Sequence, residues 1–587
     1  MNNEHFGARL HEDGKCSFKI FAPQAHEVKI KTGNMGGYVE KMTPGKYGVH
    51  EITLEKIHHG DIYSFILDEG PAVPDLASQW QPSGLRGMSA IVDHHSFDWR
   101  GDSFRGLPMS EMMIYEIHVA TFSPENNFEG IISRLSHLKG LGINTLLLMP
   151  VAQFSNTRGW GYDTVYPFAV HNSYGQPDEL KKLIRQCHMN NIAVIMDVSF
   201  GHLVPPNFLA TAYTPFFSEK FNISKGHILN FDERYSCGVR EFYIQCALSW
   251  MQDYRVDGLR IKDADLILDQ SPVHFLEELS SRVKHFAKIN DRNCVLINSD
   301  KHNAVRPVLP PEQGGYGLDA LNNDDFYCAL QSRITGNTNG RFKDYSDPER
   351  MVSAMQYGFA YRGEISSHLL RLQGRDRSEL KGCKFVVYSQ GHEEYYERDS
   401  SCRIIEKAGF EAAKLSAGAT LLSPYVPLIF MGDEYGENAP FYFFDESESD
   451  AAVDKCSLNW RNIRTEHGMA MLRLYRELIE IRKEHPAINE PCRSRCQVQE
   501  ISPNVILILR NPTSGDRNYA ATIFNFNTDP TECNVAEHLP QGVWTQKIYS
   551  AANKFSGTAG PLPEILPRKG AISMAGQSFA LYFFVHI

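Results

Sequence analysis

An acid, a guanidinium, an amide and an imidazole recur in this chain at one kind of place. Asp197, Arg260, Asn298 and His392 each stand at or just beyond the end of a short apolar run. Such groups hydrogen-bond polar ligands, and a carboxyl or imidazole among them can move protons. Lys262 stands two residues after Arg260. As a nucleophile a lysine normally serves carbonyl chemistry; as a buried cation it needs a partner. Metal chemistry has little to draw on. Cys492 and Cys496 form the one close pair among 12 cysteines. With no second pair and no His cluster, the expectation is reduced thiols, no metal and no organic cofactor.

The elements that must position these groups are apolar strands alternating with amphipathic helices. Met113-Ile-Tyr-Glu-Ile117 is a buried-strand run, and Phe128, Ile131, Ile132, Leu135 and Leu138 then recur at helical spacing. Thr145–Met149 is the next strand. Pro177 with Asp178 and Glu179 opens a helix carried by Leu180, Leu183, Ile184 and Cys187. Strands follow at Ile192–Met196, Gly258–Lys262, Cys294–Asn298, Gly317–Ala320, Phe385–Tyr388 and Pro427–Met431. Eight βα units in a row indicate a parallel barrel or a doubly wound sheet. A barrel puts its chemistry at the C-terminal strand ends, where the polar residues cluster here.

The flanks read differently. Cys16, Phe18 and Ile20 alternate with Ser17 and Lys19, and the run Tyr63, Phe65 and Leu67 has the same period of two, which indicates an N-terminal β-sandwich over residues 1–105. The barrel occupies 106–486, with a helix near Met469–Lys483 closing it. Val505–Leu509, Ala521–Phe524 and Phe579–Phe584 indicate a second β-sandwich over 487–587. A chain of 587 residues is too long for one core, and a net charge of -11 argues against a nucleic-acid partner. The first residues resemble no secretory signal, and no apolar run reaches the ~18 residues of a membrane span, so a cytoplasmic protein is expected.

Several segments together resemble glycoside hydrolase family 13, the α-amylase family. They are Gly159-Trp-Gly-Tyr-Asp163, Asp197-Val-Ser-Phe-Gly-His202, Val256-Asp-Gly-Leu-Arg260 and Tyr388-Ser-Gln-Gly-His392. Within the family the sequence is most like the maltooligosyltrehalose trehalohydrolases, with glucan branching enzymes a step further off. That likeness extends over Pro167–Gly175, Gly317-Leu-Asp319, Asn323-Asp-Asp-Phe326 and Leu422–Gly436. It implies a (β/α)8 TIM barrel, the α/β fold class. It also implies sugar-binding roles for Tyr162 as stacking platform, His202 and His392 as hydroxyl-binding imidazoles, and Arg260 oriented by Asp197. A calcium site is not implied, because Gly201 stands where many members carry a ligating Asn.

The catalytic positions depart from the pattern. A retaining glycosidase needs a carboxylate nucleophile and a carboxylic acid about 5–5.5 Å apart. By resemblance the nucleophile position holds Lys262, the acid position Asn298, and the third carboxylate position Glu393 instead of Asp. An ammonium ~4 Å from an oxocarbenium-like transition state repels it by about 4 kcal/mol at an effective dielectric of ~20. An amide supplies no proton, and general acid catalysis is worth ~10²–10⁴-fold. Glu393, one methylene longer than Asp, is expected to ion-pair with Lys262. The resemblance therefore implies a catalytically silent or severely impaired homologue that binds α-glucan or maltooligosaccharide. One alternative is an active α-glucan hydrolase with Asp263 as relocated nucleophile and Asp300 or Glu394 as acid. Strand alternation argues against Asp263. The other is a non-binding scaffold in which the barrel is architecture.

Overall fold

In the computed structural model the chain is described from residue 5 to residue 585, apart from residues 34–36, 204–215, 224–225, 377–378, 396–401, 445–449, 490, 492 and 512–517. Eight parallel strands close into a barrel. They are β1 (Ile114–Ile117), β2 (Thr145–Leu148), β3 (Ala193–Ser199), β4 (Gly258–Lys262), β5 (Val295–Asn298), β6 (Ala320–Asn322), β7 (Phe385–Tyr388) and β8 (Val426–Phe430). Neighbours pair in chain order, and β8 returns to β1 with Leu428 beside Ile114. Every residue of β1, β2, β5, β7 and β8 is buried. Burial on both faces is why these strands read as unbroken apolar runs.

Two expectations need correction. The sixth strand is Ala320–Asn322, not Gly317–Ala320. Gly317 is left-handed at φ 74, and Asp319 turns its carboxylate back onto the Leu296 N–H at 2.8 Å, so this stretch is the loop entering the strand. The helical spacing after Phe128 belongs to two short helices, Phe128–Ile132 and Leu135–Leu141. The helix opened by Pro177 runs to Met189, its start fixed by a Gln176/Glu179 capping box.

Two antiparallel sheets precede the barrel. One orders Gly7–Leu10, Lys15–Phe21, Val49–Glu55 and Thr43–Pro44; the other centres on Val28–Thr32 and Ile62–Leu67. Cys16, Phe18, Ile20, Val28, Ile30, Tyr63 and Phe65 are buried, so the period-two pattern is turned inward. After the barrel comes a five-stranded antiparallel sheet built on Val505–Arg510, Ala520–Asn525 and Ser578–Val585. One of its faces shares a core of Leu507, Ile523 and Tyr582 with the small sheet Thr531–Cys533/Ile572–Met574. The other face, with Ile506, Phe524 and Phe579, joins the barrel core. Among the described residues no helix is long and apolar enough to cross a membrane.

Candidate functional site

Strand register makes the centre of the site. In the parallel pairing of β3 with β4, Asp197 stands beside Arg260 and Ser199 beside Lys262. Residues two apart on a strand share a face, so Arg260 and Lys262 both enter the barrel mouth. The Arg260 guanidinium donates to both oxygens of Asp197, Nε to Oδ1 at 2.6 Å and an Nη to Oδ2 at 2.7 Å. The same Nη donates to Glu116, which reaches across from β1. All three residues are buried. Burial pushes the Glu116 carboxyl up, but Arg260 and His392 outweigh it and hold the group well below the usual carboxylate range.

His392 and Glu393 lie in the short helical turn after β7, and Tyr162 lies in the loop after β2. Gly161 makes that loop possible: its φ is 87, and an added Cβ would meet Pro150 at 2.9 Å. The Tyr162 hydroxyl stands 2.5 Å from Asp197 Oδ2 and 2.8 Å from His392 Nε2. His392 Nδ1 is 3.0 Å from Glu116. The hydroxyl has one proton to give. It goes to Asp197 Oδ2, a carboxylate oxygen that can only accept, and burial lowers the His392 pKa. The two rings lie face to face, 5.2 Å apart and 19° from parallel. Glu116, Asp197 and His392 are the kind of group that could hold a metal ion. Here the guanidinium of Arg260 already lies against both carboxylates.

Lys262 and Glu393 form the ion pair their positions led one to expect. Ser299 Oγ sits by both, 3.2 Å from the ammonium and 3.3 Å from the carboxylate. Burial, reinforced by Arg260, pulls the lysine pKa down to about 8, so the ammonium still predominates at neutral pH. Three carboxylates, Glu116, Asp197 and Glu393, thus face two fixed cations, Arg260 and Lys262.

Removing one charge of this pair should show what it does for the fold. Lys262→Met leaves Glu393 largely buried without its counter-charge, and a loss of about 3 kcal/mol is expected. Lys262→Met with Glu393→Gln should return to within about 1 kcal/mol of the parent. Guanidinium denaturation of the four proteins of the cycle measures this. Simple additivity of the two single losses would mean that the charges do not act on each other.

Asn298 occupies the end of β5, buried, with its amide donated to Asp300. Its Oδ1 has no partner among the described residues, nor have Asn322 Oδ1 and Ser199 Oγ. These are atoms a polar ligand can satisfy. Asp300, the alternative acid, also accepts from the His302 N–H at 2.9 Å, and burial raises its pKa. Asp263, the alternative nucleophile, is left-handed at φ 49, so strand alternation ends at Lys262 and does not fix its direction. The backbone of His202 begins a short strand against Ile228. The side chains of His202 and Glu394, like Cys492, lie outside the described residues. The residue that sequence reasoning missed is Glu116; its signal was a lone charge within the buried run 113–117.

Comparison with known proteins fits this geometry. Residues 112–208 match the α-amylase catalytic domain model. The malto-oligosyltrehalose trehalohydrolase of Saccharolobus solfataricus is 37% identical over 499 residues, 82% of this chain and 87% of that one. Its Mycobacterium tuberculosis counterpart is 30% identical, over 81% and 87%. A solved structure from Salmonella typhimurium, assigned as an α-amylase, superposes with a TM-score of 0.86 at 27% identity, covering 99% of this chain and 100% of that one. A pullulanase from Anoxybacillus sp. LM18-11 solved with maltotetraose shares the fold, with a TM-score of 0.75 at 19% identity over 100% of this chain and 88% of that one.

Proposed function

Because the chain belongs to the α-amylase family, among the malto-oligosyltrehalose trehalohydrolases, we propose that it keeps a sugar-binding barrel but has lost glycosidic cleavage. Its ligand is an α-glucan or maltooligosaccharide, trehalose-capped ones included. The observation that carries this reading is the Lys262–Glu393 ion pair beside Asn298 at the positions where cleavage needs carboxyl groups. The nucleophile position bears a cation already committed to the third carboxylate, and the acid position bears an amide. Around them Tyr162, Asp197, Arg260 and His392 are brought together and buried or half-buried. These four, with His202, form the sugar-holding set. The relatives named above come from a group whose name describes hydrolysis of such oligosaccharides. A cytoplasmic location fits cysteines that are sparse and scattered along the chain.

Calorimetry with maltoheptaose and with maltooligosyltrehalose, followed by product analysis of the same solutions, tests this. Saturable binding with no trehalose or glucose released is the expected result. Absence of binding to either sugar would leave the barrel as architecture alone. Release of product that disappears in Asp263→Asn would establish relocated carboxylates.

A further inference from the structure

At the centre of the site the aromatic platform is Tyr162. The Tyr162 ring has His392 stacked against it, and the Lys262 ammonium lies 5.8 Å from its centroid. Its hydroxyl is held between Asp197 and His392. An aromatic wall continues outward from there. Trp160 meets His392 edge to face at 5.5 Å and stacks on Phe441 at 5.3 Å and 10°. Phe441 belongs to the segment Phe441-Tyr-Phe-Phe444, which follows β8 and lies on the same end of the barrel as Trp160 in the loops after β2.

This segment divides sharply by burial. Phe441 and Phe444 are 0% and 1% exposed, whereas Phe443 is 38% exposed. Phe443 packs edge to face on Trp160 at 5.5 Å. That contact holds the ring two ring contacts from His392, and the 38% of the residue that is exposed is the part open to a ligand. A phenylalanine has only two side-chain torsions, so little entropy is lost when a ligand settles on it. The apolar C–H face of a pyranose is the partner that such a ring takes while sugar hydroxyls remain in water or reach polar groups.

We infer that Phe443 is the stacking platform for a glucan ring lying outside the innermost sugar position. The inference rests on the binding proposed above and adds a length requirement to it. A ligand must extend past the Tyr162–His392 pair to reach Phe443, so longer maltooligosaccharides gain from it and the shortest do not. The ligand class is a neutral α-glucan of several residues.

Calorimetric titration of the parent, Phe443→Ala and Phe443→Trp with maltose and with maltoheptaose tests this. Phe443→Ala should weaken maltoheptaose binding about 10-fold and leave maltose within about twofold, while Phe443→Trp retains the maltoheptaose affinity. Unfolding midpoints of the three proteins should agree, which separates a ligand contact from a packing role. Equal maltoheptaose affinity in the parent and Phe443→Ala overturns the platform and leaves glucan binding standing. Failure of the parent to bind either sugar overturns both.

Discussion

Installing Lys262→Asp, Asn298→Glu and Glu393→Asp together should create hydrolysis, where the proposed function expects the unmodified chain to release neither trehalose nor glucose. The first change removes a repulsion of about 4 kcal/mol at ~4 Å and an effective dielectric of ~20, a factor of roughly 10³ in rate once the acid is also in place. The second supplies a general acid worth ~10²–10⁴-fold. The expected gain of the triple variant over the parent is therefore at least ~10⁵-fold. Single changes should stay close to background, because nucleophile and acid act as a unit and neither cleaves alone. Product release from maltooligosyltrehalose, separated chromatographically, is the measurement. Parental turnover comparable with that of the triple variant would end the silent reading. The surrounding geometry favours the gain, since Asp197, Arg260, Tyr162 and His392 already hold one another in place.

The second large effect concerns the fold. Arg260→Met should cost the barrel about 3–5 kcal/mol, because it leaves Asp197 and Glu116 buried without their shared cation. Adding Glu116→Gln and Asp197→Asn to the same chain should recover most of that loss, since the charges then vanish together. Guanidinium denaturation, followed by near-ultraviolet circular dichroism, reads both. A pH series sharpens the test. A carboxyl held below its unfolded range, as Glu116 is, contributes stability above the unfolded value of ~4.3 and loses it as pH falls toward the folded value. The parent's advantage over Glu116→Gln should accordingly be full at pH 6 and shrink below pH 4. An advantage that grows on acidification would contradict the Arg260–Glu116 pairing.

The barrel was legible because parallel strands buried on both faces leave unbroken apolar runs, and eight of them separated by helices leave few architectures. Closure was not legible from those runs, which suit a doubly wound sheet as well; the pairing of β8 with β1 decides it. The displaced sixth strand shows a related limit. Gly317-Leu-Asp319 carries apolar and turn residues alike, and the left-handed Gly317 with the hydrogen bond from Leu296 N to Asp319 identifies it as a loop. The Lys262–Glu393 pair could be anticipated because a lysine inside a buried strand requires a counter-charge and few positions face it. Glu116 could not, since its neighbours along the chain are apolar and its partners lie 144 and 276 residues away. The stacking of Tyr162 on His392 depends on a loop whose course is set by Gly161, and no periodicity encodes it.

The tie between Lys262 and Glu393 joins the end of β4 to the turn after β7, from opposite parts of the rim. Enzymes of this architecture crowd like-charged acids into that space, and crowding of that sort opposes compaction, so turnover is bought with thermal margin. Exchanging one acid for an ammonium turns mutual repulsion into a clasp. On the proposed reading, the exchange trades reactivity for durability, and the barrel should be sturdier than one that keeps all its acids.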